Sequence, residues 1–338
     1  MDNKQIVFVA PGEAVLLDKP MPSPQAGQIL VETAISSISA GTERANLAGE
    51  VNVSREVGDG QAHFPRYAGY SSSGRVIAVG EGVDEVAVGD RVAMSWSVHA
   101  RYNCVGRENF VRIPSEDVSY EDAALCHIAC FPLAAIRKCR LELGESAIVM
   151  GLGVLGMLAV KLLRAAGAQP VIAVDPIPEK RRAALAAGAD FALDPFSPSF
   201  AADAKALTDG GARVGIEVTG VGAGLDGILD CMAPMGRVAL LGCTRHSDFS
   251  IDYYHKVHGP GISLIGAHTL ARPLVESAPA LWTTKDDMRA LIGLLAGKRL
   301  SFADMVGEVH TPEQAPAVYT RLLTERGFPL VQFDWRRT

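Results

Sequence analysis

The stretch SAIVMGLGVLG, residues 146–156, decides the fold of this 338-residue chain. A short apolar strand runs directly into a glycine-rich turn, and the turn opens an apolar helix predicted for residues 154–166. Gly151 permits the tight turn, Gly153 lets the backbone approach a pyrophosphate, and Gly156 allows the helix to lie close to the strand. The helix N-terminus offers free N–H groups to the diphosphate. We therefore predict dinucleotide contacts at five residues: Gly151, Gly153, Val154, Leu155 and Gly156.

The next predicted strand, residues 170–174, ends in the carboxylate of Asp175. Its distance along the chain from the glycine turn is close to that of the residue that accepts both ribose hydroxyls in a Rossmann fold. Asp175 would repel a 2′-phosphate, and Pro176 follows where an NADP enzyme often has Arg or Ser, so NAD is favoured as cofactor. Arg181, a further candidate cofactor residue, weakens that preference together with its basic neighbours Lys180 and Arg182. The alternative is that Asp175 only caps the following helix.

Two later strands end in small residues, in the segments EVTG (217–220) and LLGCT (240–244). Ligands of open α/β sheets bind at the carboxyl edge of the strands. We therefore predict that Thr219, Gly220 and Gly242 line the nicotinamide half of the cofactor site. The alternative is that these glycines only end their strands.

The pattern of predicted helices and strands changes near residue 119. Residues 1–118 hold short apolar or alternating runs between Gly, Pro and Ser turns, which predicts a β-rich domain. Residues 119–304 alternate helical stretches with strands at 147–150, 170–174, 215–218, 238–241 and 263–265, which predicts a doubly wound parallel α/β sheet. The tail, residues 305–338, carries a predicted helix at 313–324 and a strand at 331–333, and we expect it to pack on the first domain.

Composition excludes several functional classes. The net charge is -6 and no long Lys/Arg cluster occurs, which argues against nucleic-acid and polybasic membrane contacts. The N-terminus lacks the pattern of a secretory signal, and no apolar stretch approaches the length of a membrane span. The six cysteines form no CxxC pair. We expect a cytoplasmic protein that binds a small molecule and no metal; Cys126 and Cys130, with His127 between them, are a weak metal pattern.

With these residues placed, nearly the whole chain resembles the medium-chain dehydrogenase/reductase family. The resemblance is carried by the Rossmann residues and, in the first domain, by the segments VGEGV (79–83) and GDRV (89–92). It implies a GroES-like β-rich catalytic domain followed by a Rossmann domain, and an NAD-dependent oxidoreductase that acts on CH–OH groups.

The chain departs from the zinc-dependent members of that family at the metal positions. Where those enzymes carry a Cys-Gly-x-Asp segment and a Gly-His-Glu segment, this chain has Ala40 and Tyr70 in place of the cysteine and the histidine. Neither is a good zinc ligand, and only the third position, near Cys126 or His127, could still coordinate. The segment 96–110 contains Cys104 alone, so the lobe of the structural zinc is also missing. The SAGTE and GYxS patterns resemble the bacteriochlorophyllide dehydrogenase branch.

Without zinc, the proton transfer and the charge on the substrate oxygen need hydrogen-bonding side chains. By the resemblance, Thr42 matches the proton-relay hydroxyl and Tyr70 points from a former ligand position towards the substrate. Glu43 is a candidate base, a substrate ligand or a structural partner of Arg44, and His127 is a candidate base or a structural residue. Trp96 and Trp282 are expected to pack. Further residues are candidates for lining either the cleft, where they would contact substrate, or an interface: His99, Tyr253, Tyr254, His255 and His258.

Three functions compete. The first is a zinc-independent NAD-dependent dehydrogenase of a secondary alcohol or a polyol or sugar hydroxyl. The second is a zinc-free reductase of activated double bonds, which would usually prefer NADPH. The third is a non-catalytic NAD-binding sensor. The resemblance also implies a homodimer or homotetramer, assembled through the exposed sheet edge at residues 263–265.

Overall fold

The structure of the protein is a computed structural model, which describes residues 2–50, 53, 63–244, 247 and 249–337. The chain divides into two compact units, one formed by Met1–Ile128 with Met288–Thr338 and the other by Ala129–Asp287. None of the described helices is long and apolar enough to cross a membrane.

The strands, in chain order, are β1 Asp2–Ala10, β2 Glu13–Pro20, β3 Gln28–Ser37, β4 Arg66–Tyr67, β5 Ser71–Val79, β6 Arg91–Ser95, β7 Tyr102–Gly106, β8 Phe110–Arg112, β9 Ala147–Met150, β10 Val171–Val174, β11 Phe191–Leu193, β12 Ala212–Glu217, β13 Met232–Leu240, β14 Ser263–Gly266, β15 Val306–His310 and β16 Leu330–Asp334. The α-helices are α1 Ala40–Ala48, α2 Tyr120–Ala123, α3 Cys126–Lys138, α4 Val154–Ala165, α5 Pro178–Ala186, α6 Phe200–Leu207, α7 Gly222–Asp230, α8 Thr284–Ala296 and α9 Ala315–Thr324.

The first unit is the GroES-like β-rich unit. A three-stranded sheet has the order β2-β1-β4, and a seven-stranded sheet has the order β15-β16-β3-β5-β6-β8, with β7 also paired to β3. The prediction that the tail packs on this unit is confirmed, because β16 pairs with β3 and α9 buries Tyr319 against Phe8 and Phe333. No sequence pattern predicted β15, because its residues VGEVH carry too little apolar alternation.

The second unit is a six-stranded parallel sheet with the order β11-β10-β9-β12-β13-β14. Numbered along the chain within the unit, this is the 3-2-1-4-5-6 order of the Rossmann fold. All five predicted strands of the sheet are present. Strands β12 and β13 begin earlier than predicted, at Ala212 and Met232. Strand β11 was missed because it has only three residues and none of them is buried.

Residues 119–128 and 288–304, which the sequence analysis assigned to the Rossmann domain, lie in the first unit. The physical reason is local packing. Helix α2 lies on β3 and β5, and Ala124, just after it, is buried against Ile35. The Asp122 carboxylate accepts the N–H groups of Phe302 and Ala303, at 2.6 and 2.9 Å, which ties the two segments together.

Candidate cofactor site and candidate catalytic site

The three glycines of the turn after β9 differ in what surrounds them. Gly151 has a φ of +97°, and a Cβ there would lie 2.9 Å from Cγ2 of Thr219. A Cβ on Gly156 would lie 1.9 Å from the carbonyl oxygen of Gly151, so this glycine allows α4 to approach the turn. A Cβ on Gly153 would meet no protein atom within 4 Å. Protein packing therefore explains Gly151 and Gly156, whereas the open space at Gly153 fits the close approach of a ligand.

Helix α4 begins at Val154 and Leu155, directly over this turn. Its N-cap residue is Gly153 in an extended conformation. Since glycine has no side chain that could accept from the first-turn N–H groups, these donors remain available to an anion. The predicted helix start at residue 154 is confirmed, and its geometry fits a pyrophosphate.

Asp175 follows β10 and is buried. Its Oδ2 accepts the N–H of Leu152, and its Oδ1 accepts the N–H of Ile177, both at 2.9 Å. Asp175 is not the N-cap of α5, because Ile177 holds that position. Each carboxylate oxygen has a second lone pair, so two further donors, such as ribose hydroxyls, can still be accepted.

Arg181 lies beside Asp175 and is engaged by the protein. Its Nη1 donates to the backbone oxygen of Asp175 at 2.6 Å and lies 3.2 Å from Oδ2 of Asp194. Lys180 approaches the Asp175 carboxylate more loosely, with Nζ 3.9 Å from Oδ2. The structure thus brings Arg181 to the ribose end of the predicted site and holds its guanidinium against a backbone carbonyl oxygen and one carboxylate.

Thr219, Gly220 and Gly242 meet where β12 and β13 end. Gly220 has a φ of +67°, and its Cβ would lie 2.7 Å from the carbonyl oxygen of Cys243. A Cβ on Gly242 would lie 2.4 Å from the backbone nitrogen of Gly220. The two glycines therefore allow two loops to make direct backbone contact. This is a packing role in addition to ending their strands.

Glu217 was not predicted from the sequence, although its carboxylate holds the loop that follows β12. It is buried at the end of β12 and accepts the hydroxyl and the N–H of Thr219, the latter at 2.7 Å, and the N–H of Gly220 at 3.2 Å. Burial raises the pKa of Glu217, while the hydrogen bonds from Thr219 and Gly220 oppose that change. An acid at the end of an apolar strand, two residues before Thr219, was the signal available in the sequence.

In the first unit, the Tyr70 hydroxyl donates a hydrogen bond to Oγ of Ser39, the residue that precedes Ala40 and α1. Nδ1 of His127 lies 2.7 Å from the carbonyl oxygen of Tyr70. The structure therefore brings Tyr70 and His127 together, as two candidate catalytic residues. It adds Ser39, which the sequence analysis did not consider as a site residue.

Trp96 is a further residue at this site, although it was expected only to pack. It is 46% exposed and has a φ of +55°, which is uncommon for a large side chain. Its ring meets that of His127 at a centroid distance of 4.8 Å and that of Tyr70 at 6.0 Å. Trp282, in contrast, packs as expected, beneath the Arg137 guanidinium at 3.6 Å.

Glu43 lies in the first turn of α1 and is only 2% exposed. Its Oε1 accepts the N–H of Ser39 at 2.8 Å, and its Oε2 accepts the Tyr319 hydroxyl at 2.5 Å. Oε2 also lies 3.2 Å from Nε2 of His99. Of the three alternatives for Glu43, a pairing with Arg44 is not the one seen, because Arg44 donates its Nε to the carbonyl of Leu322. These contacts make Glu43 a buried structural anchor.

The remaining candidates are placed as follows. Thr42 is half-buried in the first turn of α1, and its carbonyl oxygen accepts from Nδ2 of Asn46. His99, a candidate for the cleft or an interface, has a completely buried side chain, which lies between Glu43 and Ser36. Tyr253, Tyr254, His255 and His258 are exposed in and beside a π-helical turn, Tyr254–His258, in the second unit.

The residues at the former zinc positions do not fit a catalytic zinc. Ala40 has no donor atom, and the Tyr70 phenol is hydrogen-bonded to Ser39. Burial raises the pKa of the Cys126 thiol, whose sulfur faces the carbonyl of Asp122 at 3.9 Å, so it is a poor thiolate donor. Within the described ranges, no group of three or more His, Cys, Asp or Glu residues is placed to hold a metal ion. A catalytic zinc needs three protein ligands.

A 3-2-1-4-5-6 parallel sheet with this glycine turn and carboxylate defines a dinucleotide-binding unit, here joined in one chain to a GroES-like unit. Two family comparisons agree: the alcohol dehydrogenase GroES-like domain matches residues 25–135, and the zinc-binding dehydrogenase domain matches residues 154–281. The chain belongs to the medium-chain dehydrogenase/reductase family and is of the alcohol dehydrogenase-like type.

Individual relatives support this assignment. The chain is 32% identical to (R,R)-butanediol dehydrogenase of Bacillus subtilis over 183 residues, which is 46% of this chain and 53% of that protein. It is 25% identical to D-guloside 3-dehydrogenase of Shigella flexneri over 340 residues, covering 95% of this chain and 96% of the relative. The crystal structure of galactitol-1-phosphate dehydrogenase from Escherichia coli shares the fold, with a TM-score of 0.83 at 20% identity and coverage of 98% and 99%.

Proposed function

We propose that this protein is a zinc-independent, NAD-dependent dehydrogenase that transfers a hydride between a secondary alcohol or a polyol or sugar hydroxyl and the nicotinamide. The observation that carries the proposal is the Tyr70 hydroxyl, hydrogen-bonded to Ser39 beside Ala40 at the start of α1. By the resemblance, this phenol, which can exchange a proton, takes the place of a zinc ligand of the zinc-dependent enzymes.

Oxidation of the alcohol removes a hydride from carbon and a proton from oxygen. When bound, the nicotinamide accepts the hydride with its electron pair. Tyr70 takes the hydroxyl proton in its phenolate form and returns it, as a phenol, in the direction of carbonyl reduction. The ordinary pKa of a tyrosine is about 10, so its surroundings must favour the phenolate at working pH.

His127 supports this role by its tautomer. A carbonyl oxygen only accepts hydrogen bonds, so the contact between Nδ1 and the Tyr70 carbonyl means that Nδ1 carries a hydrogen. In the neutral imidazole, Nε2 is then the nitrogen that can accept a proton. We propose His127 as the second proton carrier of the site, beside Tyr70. Thr42, in the adjacent first turn of α1, remains a candidate relay between the substrate hydroxyl and this pair.

The preference for NAD over NADP rests on charge at the ribose end. A 2′-phosphate would meet the buried Asp175 carboxylate. Arg181, the cation that could compensate, is already paired with Asp194 and with the backbone oxygen of Asp175. Glu43 is left out of the chemistry, since its two oxygens accept protein donors and it is buried.

The substrate class is drawn from the relatives, whose names describe dehydrogenases of butanediol, D-guloside and galactitol 1-phosphate. We also propose a homodimer or homotetramer, formed through the edge of the second unit's sheet. Strand β14 is the last strand of that sheet, and Leu264 in it is 38% exposed, while Leu274 and Val275 further along the same unit are 83% and 94% exposed. Light scattering after size-exclusion chromatography measures the subunit number.

The first test combines metal analysis with binding and turnover on the purified protein. We expect less than about a tenth of a zinc ion per chain, tight NAD binding by calorimetry, and NAD reduction with at least one secondary alcohol or polyol. Tyr70→Phe should lower kcat by about 10²- to 10⁴-fold without weakening NAD binding. One zinc per chain, or full activity in Tyr70→Phe, would contradict the proposal. If the protein reduces quinones or enones with NADPH and oxidises no alcohol, the reductase alternative is favoured.

A further inference from the structure

We propose that Ser39 is a positioning residue that orients the Tyr70 phenol and stabilises its phenolate. The inference rests on the proposed function, in which Tyr70 carries the substrate proton. The geometry that points to it is a hydrogen bond between residues 31 positions apart, from the Tyr70 hydroxyl to Oγ of Ser39.

The Ser39 hydroxyl is not used in the way its position predicts. Ser39 is the N-cap residue of α1, where serine normally accepts a backbone N–H of the first turn through its side chain. Here it makes no side-chain capping bond, and its Oγ faces Tyr70 instead. The hydroxyl therefore serves Tyr70 rather than the helix.

The backbone of Ser39 is held from both sides by one residue. Its N–H donates to Oε1 of Glu43 at 2.8 Å, and its carbonyl oxygen accepts the N–H of Glu43 at 2.9 Å. Glu43 in turn accepts the Tyr319 hydroxyl and faces His99, and all three of these side chains are buried. Because the anchor is buried and hydrogen-bonded on several sides, the position of Ser39 Oγ is fixed before a substrate binds.

A serine hydroxyl both accepts and donates, which suits both protonation states of Tyr70. It accepts the proton of the phenol, as the structure shows. When Tyr70 is a phenolate, the same hydroxyl can turn and donate to the charged oxygen, and a hydrogen bond to the charged form favours that form. Ser39 takes up no proton in this exchange. It holds the ring oxygen in place and shifts the phenol towards ionisation.

The test compares Ser39→Ala and Ser39→Thr with the matched control Ser37→Ala. Ser37 is also buried and precedes α1, but its hydroxyl accepts from Gln332 and belongs to neither proposed site. The first readout needs no substrate: the absorbance of tyrosinate is followed against pH, and the trace of Tyr70→Phe is subtracted. We expect Ser39→Ala to move the Tyr70 titration to higher pH by about one pH unit, with Ser39→Thr and Ser37→Ala close to wild type.

The second readout is the pH profile of kcat/KM with an alcohol that the enzyme oxidises. Ser39→Ala should lower kcat by about 10-fold or more, with little change in KM, and move the acid-side limb, where activity rises as Tyr70 loses its proton, to higher pH with the titration, whereas Ser39→Thr should restore both. If neither the Tyr70 titration nor the acid-side limb of the kcat/KM profile moves in Ser39→Ala, the proposal is overturned. If no alcohol is oxidised but the titration still moves, the proposed function fails and the coupling of Ser39 to Tyr70 stands. Should Ser39→Ala not fold, Ser39→Cys makes the same comparison with a much weaker hydrogen-bonding group.

Discussion

The carboxylate of Asp175 accepts the backbone N–H of Leu152, inside the glycine turn, at 2.9 Å. One side chain therefore links the end of β10 to the turn after β9. It joins the predicted ribose subsite to the predicted pyrophosphate subsite. We expect its charge and its hydrogen bond to act on different properties: by the proposed function the charge disfavours a 2′-phosphate, whereas the bond holds the turn.

We expect Asp175→Asn to reverse part of the cofactor preference. The amide oxygen can still accept from Leu152, but the negative charge that repels a 2′-phosphate is lost. NADP should bind about 10-fold more tightly and NAD more weakly than to wild type, measured as Kd by calorimetry. Asp203→Asn, an exposed change on α6, is the control. Equal losses for both cofactors would mean that Asp175 only supports the turn.

The two glycines Gly153 and Gly156 should separate ligand binding from stability. Gly153→Ala places its methyl group in open space and should change the free energy of unfolding by no more than about 1 kcal/mol, yet weaken NAD binding about 10-fold or more. Gly156→Ala forces a Cβ against the Gly151 carbonyl and should lower the melting temperature strongly. Thermal unfolding and calorimetry on both variants check this, and NAD binding that is unchanged in a folded Gly153→Ala protein would argue against a pyrophosphate at this turn.

Asp287→Asn should destabilise the second unit. Asp287 is completely buried, with Oδ1 2.8 Å from Nε of Arg137 and Oδ2 3.1 Å from Nη1 of Arg272. Burial raises the pKa of Asp287, and the two arginines oppose that rise. Removing the charge leaves two cations without their shared anion, which typically costs about 3–5 kcal/mol of unfolding free energy. Urea denaturation measures it, and Glu179→Gln, at an exposed pair with Arg182, should show no measurable loss.

Glu308 should make the first unit more stable at neutral than at acidic pH. Hydrogen bonds from Arg321 and His310 lower the pKa of Glu308 to about 2. A lowered folded-state pKa gives stability that is complete above the unfolded value, about 4.3, and is lost as the pH falls through the folded value.

Because 31% of the Glu308 side chain is exposed, solvent screening limits the effect to about 1 kcal/mol or less. Glu308→Gln should therefore be less stable than wild type at pH 7, and the two unfolding curves should converge between about pH 4 and pH 2. Urea unfolding at a series of pH values tests this; a gap that stays constant down to pH 3 would contradict the assignment.

Local patterns in the sequence were enough for the Rossmann half of the fold. The glycine turn at 151–156 and the five longer strands are confirmed, because each depends on neighbouring residues that alternate or cluster in a way that the chain itself displays. Strand β11, with three partly exposed residues, and β15, with few apolar ones, carry no such pattern. Their pairing partners in the sheets hold them in place.

The sequence by itself determined the class of fold, the cofactor turn and the positions of Ala40 and Tyr70. The catalytic surroundings needed contacts between distant parts of the chain. Tyr70 meets Ser39 across 31 positions, and Glu43 meets Tyr319 across 276. Such pairs leave no periodic trace, since a single hydrogen bond fixes two side chains without constraining the residues around them. Only folding brought Glu43 and His99 together, with Oε2 of Glu43 3.2 Å from Nε2 of His99, and buried both side chains.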